Sequence, residues 1–250
     1  MQSLEKAKAR KLQQLAPVEG EKEIEMAMEA GTDFHSVFFN SQLANMELVN
    51  TLSSMYPGAE LIEIDRDLFN RISYRETTGG LIAIVKTRPH RLEDIILPPN
   101  PLILIIEAVE KPGNLGAILR TADAAAIDAV ICCHLPTDIY NPNIIRSSLG
   151  TVFTVPLAIA ENKETMEWLK TKGIRTYCTN LHKAVDYDRQ DYTGPSAIVV
   201  GTEATGVSSE WTEFADQNVK IPMLGKIDSM NVSVASAIML YEARRQRGFS

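Results

Sequence analysis

Cysteine is scarce, histidine is scattered and long apolar runs are missing, and each shortage removes a class of protein. The chain of 250 residues holds three cysteines, an odd number, with Cys132 and Cys133 adjacent inside an apolar run. That speaks against a disulfide framework and points to reduced, buried thiols in a cytoplasmic protein. Neither the cysteines nor the four histidines (His35, His90, His134, His182) fall in a zinc-ligand spacing, so no metal is expected. No apolar stretch approaches the roughly 18 residues that cross a bilayer. The opening MQSLEKAKARKLQQL lacks the apolar core of a signal peptide, so export is not expected either. Two phosphate-binding signatures are also missing. Gly113 and Gly116 in GNLGAILRTADAAA do not make GxGxxG, and no GK[ST] follows, which weakens a dinucleotide or nucleotide-hydrolase reading. Nor is positive charge in excess: the net charge of −7 argues against a protein coated in nucleic acid.

What remains is a globular composition, 45% hydrophobic and 23% charged, at a length sufficient for one large or two modest domains. Basic residues gather locally, at Lys6, Lys8, Arg10 and Lys11, at Lys86, Arg88, His90 and Arg91, and at Arg244, Arg245 and Arg247. Such patches can bind phosphate or simply stay solvated.

The patterning alternates between helix and strand. A basic helix over about residues 3–15 is followed, after Pro17 and Gly20, by the helix EKEIEMAMEAG. HSVFFN reads as a strand and SQLANMELVNTLSSMY as a helix with Ser41 as a candidate cap. ELIEID, RDLFNRIS and GLIAIVKT then read as strand, short helix and strand, closing a small layered domain near Thr87. Its last turn, Arg75 to Gly80, is a polar, Gly-rich corner suited to contacting a partner. The proline-rich TRPHRLEDIILPPNP reads as a linker, so the chain divides into residues 1–95 and 96–250.

In the second part the strands LILIIEAV, DAVICCH, VFTVPLAI, IRTYCTN and AIVVG alternate with helices at GNLGAILRTADAAA, NIIRSSLG, KETMEWLKTKG and SSEWTEFAD. Continuous apolar strands alternating with helices predict a mostly parallel sheet covered on both faces. A closing strand with Val219, Ile221 and Met223 leads through a polar loop to a helix from Val232 to Arg247, stopped by Gly248. Ser233, Ala235, Ser236 and Ala237 crowd its first turns, which implies close passage of another backbone.

Three constellations carry chemistry. Glu107, Glu110, Asn114 and Arg120 sit at the end of a strand and the start of a helix, where α/β sites lie. Glu203 and Gly206 occupy the loop after AIVVG, and Gly225, Asp228, Ser229 and Asn231 precede the final helix. Separately these are a surface arginine, a strand–turn–helix and a capped helix.

Together they are specific: N-x-G-x-x-x-R-T-A, then G-x-E-x-x-G-[VL]-S, then IPM-x-G-x-x-x-S-x-N-V-S-V-A, in that order. From Pro101 to Arg247 the chain resembles the SpoU (TrmH-type) branch of the SPOUT RNA methyltransferases. The N-terminal part is similar to the small ribosomal-protein-like substrate-binding domain of such enzymes, through its K-x-R helix and TTGGLIAIV close. The resemblance implies an α/β fold whose C-terminal SPOUT domain has a deep trefoil knot and a mostly parallel sheet, preceded by a small α/β/α substrate-binding domain. It also implies S-adenosylmethionine as methyl donor, a homodimer, and methylation of a ribose 2′-hydroxyl in RNA. Carried over by motif position, Arg120 is the catalytic arginine, with Asn114, Glu203, Ser229 and Asn231 lining the site. Thr179, Gly201, Ile221, Gly225 and Met230 fall to the cofactor, largely through backbone; the family commonly has leucine where Met230 stands. Arg120 is either the base or a phosphate clamp, and the clamp is favoured because a guanidinium stays protonated. Ribosomal RNA of the 23S type is favoured over transfer RNA. The same chemistry on transfer RNA, and a non-catalytic knotted RNA-binding or assembly protein, remain open alternatives.

Overall fold

The computed structural model describes residues 2–74, 79–181, 183–202 and 206–249. In chain order the first elements are α1 (Ala7–Gln13), β1 (Leu15–Glu19), α2 (Glu21–Glu29), β2 (Phe34–Phe39), α3 (Met46–Met55), β3 (Glu60–Glu63), α4 (Arg66–Ile72) and β4 (Leu81–Lys86). There follow β5 (Leu102–Glu107), α5 (Pro112–Ala124), β6 (Ala129–Cys133), α6 (Pro142–Ser147), α7 (Thr151–Thr154), β7 (Leu157–Ala160), α8 (Asn162–Thr171) and β8 (Arg175–Thr179). The chain closes with β9 (Val185–Asp186), β10 (Ser196–Val200), α9 (Ser209–Phe214), β11 (Gln217–Lys220) and α10 (Val232–Gln246). It packs as two compact units, Met1–Pro89 with Asp138–Thr154, and His90–Thr137 with Val155–Ser250.

The first unit has a four-stranded sheet in the order β1-β4-β2-β3, antiparallel except for the parallel β2–β3 pair. Strand β1 is absent from the sequence reading, because Pro17 lies at its centre opposite Ile84. The proline is tolerated there because β1 is an edge strand, where a missing N–H breaks no second ladder. Helix α3 starts later than its pattern suggests. Asn45 rather than Ser41 caps it, its side chain accepting from the Glu47 N–H at 3.1 Å. Residues 138–154 join this unit from the middle of the chain. Helix α7 packs on α2, where a strand running through VFTV was expected; only Leu157–Ala160 is extended. The excursion is pinned by Arg10, 2% exposed, whose Nε meets Asp138 Oδ2 at 2.5 Å. Arg10 Nη1 also donates to the Leu4 and Glu5 carbonyls. Of the polar corner at 75–80, Arg75, Glu76, Thr77 and Thr78 lie outside the described residues.

The second unit is a seven-stranded sheet, order β7-β6-β5-β10-β8-β11-β9, parallel in every pairing. Strands β5, β6 and β10 are buried at every position, as expected of central parallel strands sandwiched between helices. The segment read as a linker is no free tether: Leu92 and Ile95 are buried in this unit's core beside Ile103 and Ile131. Strand β11 ends at Lys220, so Ile221 and Met223 are free of the ladder. Helix α10 spans nearly the expected residues, with Asn231 as its cap and Gly248 at φ 82° beyond it. Among the described residues, no helix is long and apolar enough to cross a membrane.

Candidate functional site

Parallel strands present their carboxyl ends along one edge, and ligands of such sheets gather there. At that edge a cavity of about 580 Å³ is lined by Thr179 from β8, Val200 and Gly201 from the end of β10, and Lys220 and Ile221 from the end of β11. Met223, Asp228, Ser229, Met230 and the first turns of α10, at Val232 and Ala235, complete the wall. The volume suits a small molecule, for which sites run about 300–1,000 Å³.

At Gly201 the cavity wall has a close backbone approach. A Cβ there would stand 2.3 Å from the Gly206 carbonyl oxygen and 2.6 Å from the Val207 nitrogen. Thr202 and Gly206 exchange two backbone hydrogen bonds, at 3.1 and 3.0 Å, that close the loop on itself. Only a residue without a side chain fits at that approach. Glu203, expected in this loop, lies outside the described residues.

Five of the residues marked by the motifs converge on the cavity: Thr179, Gly201, Ile221, Ser229 and Met230. The Thr179 hydroxyl donates to the Val199 carbonyl at 2.9 Å. Asn231 performs two tasks from one side chain. Its Oδ1 accepts from the Ser233 N–H at 3.0 Å, capping α10, and its Nδ2 donates to Asn114 Oδ1 at 3.1 Å. The second bond joins the first turn of α5 to the loop that lines the cavity. Ser229 is exposed and donates to Asp228 Oδ1 at 3.2 Å, so Asn231 alone is the helix cap. Gly225 lies on the exposed loop and does not line the cavity.

Arg120 stands apart. Six residues beyond Asn114 on one helix, it is about 9 Å further along the axis and about 120° around it. It is exposed, outside the cavity lining, and makes no hydrogen bond or ion pair among the described residues. Its guanidinium is therefore available to a large anionic partner.

The other clustered cations are mostly spent internally. Arg244 donates from Nε to the Ala125 carbonyl at 2.6 Å and from Nη2 to that of Ala126. Arg247 reaches the carbonyls of Tyr192, Asn100, Pro101 and Gly194. Burial, and then the neighbouring Arg244 charge, pull the Arg247 pKa below its ordinary value. Arg245 pairs with Glu242 at 2.8 Å, Arg88 donates to the Phe153 carbonyl at 2.8 Å, and Arg10 is buried. Arg91 pairs with Glu93 and Asp94, each at 3.2 Å, and Lys86 with Asp33 at 3.3 Å. Backbone carbonyls and carboxylates thus already engage Arg10, Lys86, Arg88, Arg91, Arg244, Arg245 and Arg247, whereas Lys6, Lys8 and Lys11 of the N-terminal cluster are exposed.

Thiol chemistry is disfavoured too. Burial pushes the Cys133 and Cys178 thiols up to about 12, and raises Cys132 as well. A nucleophilic cysteine needs the opposite shift. Among the described residues no group of His, Cys, Asp and Glu is arranged to hold a metal. Sequence reasoning missed Asn180, Leu181 and Lys220 as cavity residues. Their only signal was adjacency to Thr179 and Ile221.

Two family patterns match the chain, the SpoU rRNA Methylase family over residues 101–241 and the MRM3-like substrate binding domain over residues 1–83. The 23S rRNA (guanosine(2553)-2′-O)-methyltransferase RlmP of Bacillus subtilis is 32% identical over 192 residues, covering 77% of this chain and 75% of the relative. The tRNA (guanosine(18)-2′-O)-methyltransferase of Thermus thermophilus is 39% identical, covering 65% of this chain and 84% of the relative. Among solved structures, the AdoMet-bound rRNA methyltransferase from Sinorhizobium meliloti superposes with a TM-score of 0.89 at 30% identity, over 97% of this chain and 92% of that one.

Proposed function

The chain belongs to the SpoU rRNA methylase family, and on that premise we propose that it transfers a methyl group from S-adenosylmethionine to a ribose 2′-hydroxyl of ribosomal RNA. The observation that carries the reading is the cavity at the carboxyl ends of β8, β10 and β11, lined by Thr179, Gly201, Ile221, Ser229 and Met230. Its size suits the donor, and its glycine-bounded wall lets backbone groups approach an adenine edge without side chains intervening. When bound, S-adenosylmethionine supplies a methyl group activated by a sulfonium centre. Gly201, Ile221 and Met230 hold it mainly through backbone, with Thr179 beside them and Gly225 in the adjoining loop. Met230 in place of the family's leucine changes little, since a backbone contact does not read the side chain.

Asn114, Asn231 and Ser229 line the acceptor side, with Glu203 ordering its loop. The ribose hydroxyl must be oriented and must lose a proton. Arg120 clamps a substrate phosphate and so fixes the hydroxyl toward the donor; its exposure, and its lack of a partner among the described residues, support this role. Positioning of this kind supplies up to about 7–11 kcal/mol of barrier reduction. Comparing Arg120→Lys with Arg120→Ala across pH separates the roles. Both variants should be slow with an unchanged pH profile; a lysine variant that recovers rate with a new pH dependence would mean that position 120 takes the proton.

The substrate is ribosomal rather than transfer RNA. A substrate-binding domain pattern covers residues 1–83, and the ribosomal RNA enzyme shares more of the chain than the transfer RNA enzyme, 77% against 65%. Accordingly residues 1–95 serve substrate binding and 96–250 form the knotted catalytic domain, except that 90–95 pack within the second compact unit and 138–154 within the first. Membership of the family is what supports a deep trefoil knot. Exposed apolar side chains on the cavity loop and α10, Leu224, Ile227, Val234 and Tyr241, support a homodimer. Three free, buried cysteines support a cytoplasmic site of action. Mapping 2′-O-methylation across total RNA, with and without the protein, tests the assignment. One ribosomal position should appear with the protein. A change confined to transfer RNA would move the substrate, and no change beside tight RNA binding would favour a non-catalytic assembly role.

A further inference from the structure

Strand β5 is apolar until its last residue, and that residue, Glu107, is only 5% exposed. A buried carboxylate persists only when donors meet both its oxygens. Glu107 Oε1 accepts from Asn162 Nδ2 at 2.7 Å, and Oε2 accepts from the backbone N–H of Ser208 at 2.7 Å. Asn162, 3% exposed at the start of α8, is itself fully engaged. Its amide also donates to Glu210 Oε2 at 2.9 Å, and its Oδ1 accepts from Trp211 Nε1 at 2.9 Å. Through the Ser208 N–H the network reaches the residue that follows Gly206 and Val207, both of which line the cavity.

We propose that Glu107 is a positioning residue for the methyl-donor cavity. Its carboxylate holds the 206–208 segment in place through the Ser208 N–H, and Asn162 orients that carboxylate. The proposal rests on the reading of the cavity as the donor site. The hydrogen-bond polarity explains why the residue is a glutamate. Two donors face it, and a carboxylate accepts from both. A glutamine offers one acceptor and one donor, so its NH2 group must oppose either the Asn162 amide or the Ser208 N–H. Pairing Glu107→Gln with Asn162→Asp reverses the polarity consistently. The new amide accepts from Ser208 and donates to the new carboxylate, whose second oxygen still accepts from Trp211. Glu210, being exposed, turns to water.

The test measures calorimetric affinity for S-adenosylmethionine, and the ligand-free melting temperature, in full-length Glu107→Gln, Asn162→Asp and the double variant. Each single change should weaken affinity about tenfold, equivalent to about 1.4 kcal/mol, and the double variant should recover most of that loss. Wild-type affinity in the single variants beside a lowered melting temperature would show a merely structural role and overturn the proposal. So would losses that add in the double variant. Should Glu107→Gln fail to fold, Asn162→Ala, which leaves the carboxylate in place but unoriented, carries the same comparison. A wild-type chain that binds no S-adenosylmethionine overturns the donor-site reading as well; unaltered variants beside a binding wild type overturn only this one.

Discussion

Gly201→Ala probes the cavity at a point of close backbone approach. No positive φ is involved, so the variant isolates a steric effect. The added methyl would lie 2.3 Å from the Gly206 oxygen, 2.5 Å from its carbonyl carbon and 2.6 Å from the Val207 nitrogen. All three are backbone atoms, so no flexible side chain can yield, and the loop itself must move. The Thr202–Gly206 hydrogen-bond pair, at 3.0–3.1 Å, resists that movement. Overpacking of this kind costs about 1–3 kcal/mol. For a chain of this length each kcal/mol lowers the melting temperature by about 2–4 °C, so a fall of about 2–12 °C is expected. Because the displaced segment lines the cavity, S-adenosylmethionine affinity should fall at least about tenfold, or about 1.4 kcal/mol. Gly113→Ala is the control. It sits in the first turn of α5 with nothing within 4 Å of its Cβ position, and the change should be neutral or stabilising by up to about 1 kcal/mol. Calorimetric titration and thermal melting read both quantities. Unchanged affinity and melting temperature in Gly201→Ala would refute the claim that backbone approach at Gly201 shapes the site.

Arg247→Ala should destabilise the chain by about 1–3 kcal/mol in denaturant titrations, because it leaves the carbonyls of Tyr192, Asn100, Pro101 and Gly194 without their donor. Arg247→Lys should recover little of that loss, since an ammonium cannot fork across several acceptors. Arg120→Ala should leave stability within about 0.5 kcal/mol of wild type, as expected of an exposed surface position, while abolishing methyl transfer to RNA. Alkali should destabilise the fold through its buried thiols. Folded Cys133 and Cys178 are raised to about 12 by burial, whereas unfolded thiols titrate near 8.5. The unfolded chain therefore releases these protons first: their stabilisation is complete below about pH 8.5 and is lost as pH rises toward 12. Between pH 8.5 and 9.5, below the tyrosine range, Cys178→Ala should flatten the decline in unfolding free energy; an unchanged slope would count against neutral burial.

Local information was enough for much of this protein. The alternation of strand and helix, the span of α10 with its Asn231 cap and Gly248 stop, and the order of the three motifs are all written in neighbouring residues. Hydrophobic periodicity and capping chemistry act within a turn or two, so they survive in the sequence without any partner in view. Tertiary contacts decided the rest. Pro17 is a strand residue only because β1 lies at an edge beside β4. Residues 138–154 join the first unit through Arg10, 128 positions away from Asp138, and VFTV becomes helical there. The arginines of α10 looked free to bind phosphate until Ala125, Tyr192 and Gly194 came within reach of them. Glu107 looked like one acidic residue among several at a strand's end. Only the folded chain brings Asn162 and Ser208 to its two oxygens, because hydrogen bonds act over a few ångströms of space, whatever the separation along the chain.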